Sequence, residues 1–291
     1  MDFATFVELF TWPLVALGLS ALAAPLVGCF LLVRGTAFHG IVLPQVAAFG
    51  VAVGFALEPW LASHGPGDHV AHDVPQAYLL AWAFGAVAAA MIVLGRVPKA
   101  HASGSSVSAA VFAIASGGTV LAAQLAPHGG LHVDALLSGE TLATGAFDAV
   151  LIGVAAAITL AVVLFRWRDL TVAGHDPDFL AALGRSPGRT SLPLHWVTAI
   201  VVIVGSLTIG VLAMFALLVL PPLTARRWAR SMKGMLVAAP GVGLLSAACG
   251  AAAAFGFDLP MNASVVGGAA LVSGCSFGAA SILDLKRRAA R

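Results

Sequence analysis

A few polar residues inside long apolar stretches are the side chains in this sequence best placed to handle an ion. Gln45 follows Pro44 within an apolar stretch that runs from about residue 41 to 57. A proline and an amide are tolerated inside a membrane span where the freed backbone groups face protein or a water-filled cavity. We therefore expect both to line a translocation pathway, with His39 and Glu140 as further candidates. A lone amide in a span also suits a helix–helix hydrogen bond, so both roles stay open for Gln45.

A second group of candidates lies in a segment rich in His and Asp at residues 58–76. Its possible metal ligands are His64, Asp68, His69 and His72. Zn²⁺ is bound by such side chains in tetrahedral sets, and this spacing fixes no tetrahedral geometry. A solvated loop is therefore the favoured interpretation, and a mouth that attracts metal ions is the alternative.

The composition identifies the kind of element that must position these side chains. Of the 291 residues, 60% are hydrophobic and 10% are charged, whereas soluble domains carry roughly 25% charged residues. The Ala-, Leu-, Val- and Gly-rich stretches favour packed helices over a β-barrel. We therefore predict an all-α, polytopic bundle forming one transmembrane domain over residues 1–291, a multi-pass protein of the plasma (inner) membrane. The net charge of +2 does not indicate a nucleic-acid partner.

The number of spans depends on residues 192–223, which are too long a stretch for a single plain crossing. A single crossing would leave Arg226, Arg227 and Arg230 outside, against the positive-inside rule. A break near residues 205–210 would return these charges to the cytoplasm. We therefore favour nine spans over eight, with the sixth and seventh short and tightly paired.

The longest polar interruption of the apolar pattern, residues 166–191, is predicted to be a cytoplasmic loop. Within it, Asp176 is a good N-cap, Pro177 suits the first helical position, and Gly184 suits a left-handed residue after the last turn. A short helix is therefore expected between two membrane halves. Residues 13–40 and 206–234 share a layout of apolar span, basic turn and apolar span, from which we expect a weak inverted repeat.

Several segments, taken in order, resemble the integral-membrane permeases of bacterial zinc and manganese ABC importers. Residues 175–184, HDPDFLAALG, are similar to the family's Phe-Asp-Pro-Glu-Phe-Ala-x-x-x-Gly element. Residues 210–226 resemble its Gly-Val-Leu-Leu…Leu-Leu-Val-x-Pro…Thr-Ala-Arg signature, and Asp258-Leu259-Pro260 resembles its Asp-Leu-Pro. Residues 136–143 resemble its Leu-Phe-Gly-Asp-Ile-Leu-Ala segment, with Glu140 in place of the Asp. The implied fold is that of permeases of the metal and vitamin B12 importer type.

The resemblance also implies a mechanism and a set of partners. Two permeases would form a homodimer, a cytoplasmic ABC ATPase would hold the ATP, and an extracytoplasmic protein would deliver a divalent metal: zinc, manganese or iron. The short helix would be the coupling helix received by the ATPase, through Asp176, Pro177, Asp178, Phe179, Leu180, Leu183 and Gly184. The chain itself would bind no cofactor and would not be an enzyme, since its sequence contains no Gly-x-x-x-x-Gly-Lys-Ser/Thr phosphate loop.

The sequence departs from this family where the metal should pass. The family's Gly-Asp-x-x-x-His at the start of the second span corresponds to Gly40, with Ile41 and Gln45 in place of the Asp and His. Neither residue supplies the carboxylate or imidazole that Zn²⁺ or Mn²⁺ ordinarily takes. The alternative function is a gradient-driven secondary transporter or channel. It would need ionisable groups inside the spans, and the candidate spans contain almost none.

Overall fold

A computed structural model describes residues 10–61, 75–96, 103–126 and 145–289. Helices account for almost all of these residues, and no strand occurs in these ranges. In chain order the helices are α1 Thr11–Val33, α2 His39–Leu61, α3 Gln76–Arg96, α4 Ser103–Leu125, α5 Ala146–His175, α6 Pro177–Ala182, α7 Pro187–Ile209, α8 Val211–Trp228, α9 Met232–Phe257 and α10 Met261–Ala289. The predicted all-α class is confirmed.

Nine of these helices, all but α6, are long and apolar enough to cross a membrane. The preference for nine spans is therefore confirmed for the part of the chain that the structure describes. Their side chains explain why: each helix carries about twenty largely apolar residues, the length needed to cross the hydrocarbon core. The sixth and seventh spans are α7 and α8.

The break between α7 and α8 is a single glycine. Gly210 has φ 88° and ψ 156°, a conformation that residues with a Cβ rarely adopt. The chain folds back there, so that Met214 lies against Gly205. The expectation that both spans are short and tightly paired holds in length for α8, which has 18 residues, and fails for α7. Helix α7 has 23 residues because it already begins at Pro187, and α8 packs more extensively on α1 and α10 than on α7.

Polar contacts show that α8 and α10 run in the same direction. Three hydrogen bonds join them: the N–H of Ala213 donates to Asn262 Oδ1 (2.7 Å), Thr224 Oγ1 donates to Ser273 Oγ (2.9 Å), and Trp228 Nε1 donates to Ser276 Oγ (2.6 Å). The partners advance together along both helices. The first of these bonds also satisfies a backbone donor in the first turn of α8, which its own helix leaves without an acceptor.

Helices α1 and α5 are likewise parallel. Leu19 lies beside Gly153 near the start of both helices, and Arg34 lies beside Gly174 at the far end of both. Helix α1 is the central element of the bundle. It packs against α5, α7, α8 and α9, and most of its side chains from residue 16 onward are buried.

Helix α9 runs opposite to both of these pairs. Against α1, Pro25 lies beside Gly243, while the Cys29 thiol donates to the carbonyl of Met235 over 3.7 Å. Against α10, antiparallel contacts are formed by Gly250 with Val265 and by Gly268 with Ser246. Helices α1, α5, α8 and α10 therefore all run toward the same side of the molecule.

We call this side the basic face, because these helices end there in basic residues: Arg34 after α1, Arg166 and Arg168 in α5, and Arg226 and Arg227 in α8. The shared direction also corrects one expectation from the sequence. The two segments compared as an inverted repeat, residues 13–40 and 206–234, have their spans in α1 and α8. These helices run the same way, so this pair of segments is not related by inversion.

Candidate functional site

The short helix α6 is capped at both ends as its sequence predicts. Asp176 Oδ1 accepts a hydrogen bond of 2.9 Å from the N–H of Phe179, and Pro177 occupies the first helical position. After the last turn, Gly184 has φ 71°, and the N–H of Arg185 donates to the carbonyl of Leu180 over 3.1 Å. Both caps keep this short helix ordered without neighbouring turns to extend it.

The apolar side chains of α6 divide between two directions. Leu180 is 2% exposed and fastens the helix to the rest of the protein, whereas Phe179 and Leu183 are 52% and 60% exposed. These last two lie four residues apart and so project from the same side of the helix. They form an outward apolar pair beside the basic face.

The polar segment around α6 is more helical than the predicted loop over residues 166–191. Helix α5 continues without a break to His175, and α7 starts at Pro187. Helix α5 continues here because residues 166–171 include neither proline nor glycine, the residues that disfavour a helix most. Asp169 in the extension pairs with Arg185 after α6, with a shortest N–O distance of 3.0 Å. This exposed ion pair joins α5 to the end of α6.

Arg34 connects this region to the first two spans. It follows α1, and its Nη2 donates to Ser191 Oγ at the start of α7 over 2.8 Å. Its side chain also lies against Gly174 near the end of α5, where a Cβ would be 2.9 Å from Arg34 Cγ. Burial lowers the pKa of the guanidinium from its usual value, although an arginine stays charged. One side chain thus contacts both helices that hold α6.

The predicted pathway residues occupy the first two turns of α2, directly after the turn that contains Arg34. Pro44 is buried and Gln45 is half-buried, and their place in a pathway stays a prediction. His39 is half-buried at the start of α2, and α2 packs against α7, the helix that carries His195. The Nδ1–H of His195 donates to the carbonyl of Ser191 over 2.9 Å, which leaves Nε2 available to another partner.

The remaining predicted ligands, His64, Asp68, His69, His72 and Glu140, lie outside the described residues. Within the described ranges, no group of three or more His, Cys, Asp or Glu side chains could hold a metal ion. Asp148, at the start of α5, accepts hydrogen bonds from Gln76 and from the N–H of Gly145. Its carboxylate is therefore occupied in joining α3 to α5.

Sequence reasoning missed three residues of this region. Arg34, Ser191 and His195 are not among the candidate residues of the sequence analysis. Arg34 and Ser191 are separated by 157 residues, so no local pattern could have paired them. The sequence carries one indirect signal of this contact, Gly174 in the charged end of α5. A glycine there leaves room for a closely packed neighbour, which is Arg34.

An all-helical bundle with nine candidate spans among the described residues, and with a capped helix on its basic face, defines a multi-pass membrane protein. The match to a family model is more specific. The chain belongs to the ABC 3 transport family, whose model matches residues 7–277. It is accordingly a multi-pass protein of the plasma membrane.

Two curated relatives and one solved structure are similar to it. The chain is 34% identical over 109 residues to the zinc transport system membrane protein TroC of Treponema pallidum, covering 38% of this chain and 32% of that protein. It is 28% identical over 118 residues to the manganese transport system membrane protein MntC of Bacillus subtilis, covering 40% and 27%. The matches thus span about a third of each relative's length.

The solved structure covers far more of the chain. PsaBC from Streptococcus pneumoniae, in complex with a Fab, superposes with a TM-score of 0.76 at 19% identity, over 95% of each chain. At this level of identity the likeness establishes the shared fold. The predicted permease architecture is therefore confirmed along nearly the whole chain.

Proposed function

We propose that this chain is the membrane-spanning permease subunit of an ABC importer for a divalent transition metal (zinc, manganese or iron), powered by a separate ATPase subunit. The observation that carries the proposal is α6, a short helix capped at both ends that presents Phe179 and Leu183 outward at the basic face. Membership of the ABC 3 transport family and the zinc and manganese systems of the relatives support the choice of cargo.

The basic face is proposed to be the cytoplasmic side, because arginine and lysine accumulate in cytoplasmic ends of spans. Helix α6 then faces the compartment that contains ATP. Phe179 and Leu183 would enter an apolar groove of the ATPase, with Asp176, Pro177, Asp178 and Gly184 keeping the helix short and rigid. Leu180 would transmit the force inward, since its side chain is buried in the permease.

Arg34 would transmit this movement to the ion path. It is bonded to Ser191 at the start of α7 and packed on Gly174 at the end of α5. The same residue begins the turn into α2, which carries His39, Pro44 and Gln45. When the ATPase displaces α6 together with the adjoining ends of α5 and α7, Arg34 would move the start of α2 with them.

The ion path is proposed to include His39, Pro44, Gln45 and Glu140. Imidazole nitrogen is a good ligand for zinc and iron, and α7, which packs against α2, carries a second imidazole, His195. A homodimer would present each of these residues twice, so weak single ligands could form a transient site.

An extracytoplasmic binding protein would deliver the metal, and the outer segment with His64, Asp68, His69 and His72 would be the place of delivery.

The test is uptake of Zn²⁺, Mn²⁺ and Fe²⁺ into proteoliposomes that contain the permease together with a cognate ABC ATPase and an extracytoplasmic binding protein. We expect accumulation that requires ATP on the α6 side. Uptake that is unchanged without ATP and follows an imposed ion gradient would reject the importer and favour the gradient-driven transporter. A complex that hydrolyses ATP without accumulating any of the three metals would reject the cargo.

A further inference from the structure

A tryptophan at the basic face has two cations, one from each of two helices, within cation–π distance. The Nζ of Lys233 in α9 is 5.2 Å from the centroid of the Trp167 ring, and the guanidinium carbon of Arg168 is 5.4 Å from it. Both distances are within the range of a cation–π interaction. Trp167 itself packs at the edge of an apolar cluster that includes Met232 and Leu236. The ring therefore fixes two cationic groups at the junction of α5 and α9.

Along the stretches of α5 and α9 that carry these cations, acidic residues are scarce. The sequence from residue 226 to 257 contains no Asp or Glu, and in the extension of α5 Asp169 is already paired with Arg185. Lys233 lies in the first turn of α9, where the helix dipole disfavours a cation. Arg166 and Arg230 are exposed nearby in the sequence. The charge at this junction is therefore complementary to an anion.

The surface toward the membrane from these cations is apolar. Phe165, one residue before the charged end of α5, is 88% exposed, and Leu164 is 63% exposed. In α9, Val237 stands one turn after Lys233 and is 79% exposed. Cationic groups at the face with exposed apolar side chains directly below match the two parts of a phospholipid, its headgroup and its acyl chains.

We propose that the junction of α5 and α9 is a binding site for an anionic phospholipid of the leaflet at the basic face. Arg168 and Lys233, both within cation–π distance of Trp167, hold the headgroup phosphate, and the acyl chains lie along Phe165 and Val237. A soluble anion would use the cations alone and leave the apolar surface without a role. The site is separate from α6 and from the pathway residues in α2.

Native mass spectrometry of the full-length chain, purified with equimolar phosphatidylglycerol and phosphatidylcholine of identical acyl chains, tests the proposal. We expect phosphatidylglycerol to be retained in preference. Replacing both cations, Arg168→Gln with Lys233→Gln, is expected to reduce that preference by about tenfold, as two basic groups near a membrane surface are lost. The matched control is Arg189→Gln with Arg226→Gln, which removes two exposed charges elsewhere on the basic face and is expected to keep the preference.

Three results would overturn the site. One is equal retention of the two lipids by the unaltered chain. The second is the same loss in both double variants, which would indicate a general effect of charge. The third is displacement of phosphatidylglycerol by a few equivalents of inorganic phosphate alone, which would assign the cations to a soluble anion. Thermal unfolding of each variant checks that the compared proteins are folded. All four changed side chains are exposed, so we expect little change in the midpoint.

Discussion

Arg34 donates a hydrogen bond of 2.8 Å to Ser191, joining the end of the first span to the start of the sixth. The contact places a charged side chain between the two helices that hold α6. The Nε atom of Arg34 is also buried and has no hydrogen-bond partner among the described residues. The guanidinium is therefore held mainly by Ser191 and by its packing against Gly174.

Arg34→Gln should separate ATP hydrolysis from transport. A hydrogen bond from a charged group contributes about 1.5–3 kcal/mol, so we expect metal uptake by the assembled complex to fall by roughly tenfold or more. ATP turnover should persist, because α6 keeps its own caps. The measurement is uptake and turnover in the same proteoliposomes.

The matched control for Arg34 is Thr190→Ala. Thr190 is buried beside Ser191, but its hydroxyl bonds only within its own helix, to the carbonyl of Ser186. Thr190→Ala should retain uptake. Ser191→Ala removes the acceptor of the Arg34 hydrogen bond, so it should lose uptake as Arg34→Gln does. Equal loss of turnover and uptake in the Arg34 variant would contradict a role in coupling.

Gly174→Ala should destabilise the protein although alanine favours helices. The new Cβ would lie 2.9 Å from Arg34 Cγ, so the guanidinium must move away from Ser191. Crowding of this kind costs about 1–3 kcal/mol. The comparison is Gly153→Ala in the same helix, whose Cβ would lie 3.6 Å from Leu19. Thermal unfolding in detergent should show a lower midpoint only for the first variant.

Phe179→Asp should abolish association with the ATPase, because it places a charge in the outward apolar pair of α6. An anchor residue of an interface typically contributes about 2 kcal/mol or more, which corresponds to at least a tenfold loss of co-purified ATPase. Ala181→Asp adds the same charge on the opposite side of α6 and should keep the complex. Unaltered co-purification and turnover after Phe179→Asp would remove the coupling role from α6.

The sequence predicts the elements of this protein well, because their causes are local. Runs of apolar residues of the right length define nine spans, and Asp176, Pro177 and Gly184 define the ends of α6. The extension of α5 to His175 was missed because polarity marks the membrane boundary and not the helix boundary. The bond between Arg34 and Ser191 depends on how distant spans pack, and the parallel directions of α1 and α8 depend on the same packing.

Gln45→Ala should alter metal uptake if the first turns of α2 line the path. The amide is half-buried beside the buried Pro44, so its removal should change the relative uptake of Zn²⁺ and Mn²⁺ more than the stability of the fold. His39→Ala, in the first turn of the same helix, tests the imidazole in the same way. If Gln45→Ala leaves both rate and selectivity unchanged, Gln45 belongs to helix packing and not to the path.

The most direct test of the permease account is the side of the membrane on which α6 lies. A single cysteine in place of Leu183, with Cys29, Cys249 and Cys275 replaced by alanine, can be labelled with a membrane-impermeant maleimide in oriented vesicles. The permease account predicts labelling in inside-out vesicles, and protection there when the ATPase is bound. Labelling in right-side-out vesicles instead would place α6 outside the cell and contradict its contact with an ATPase.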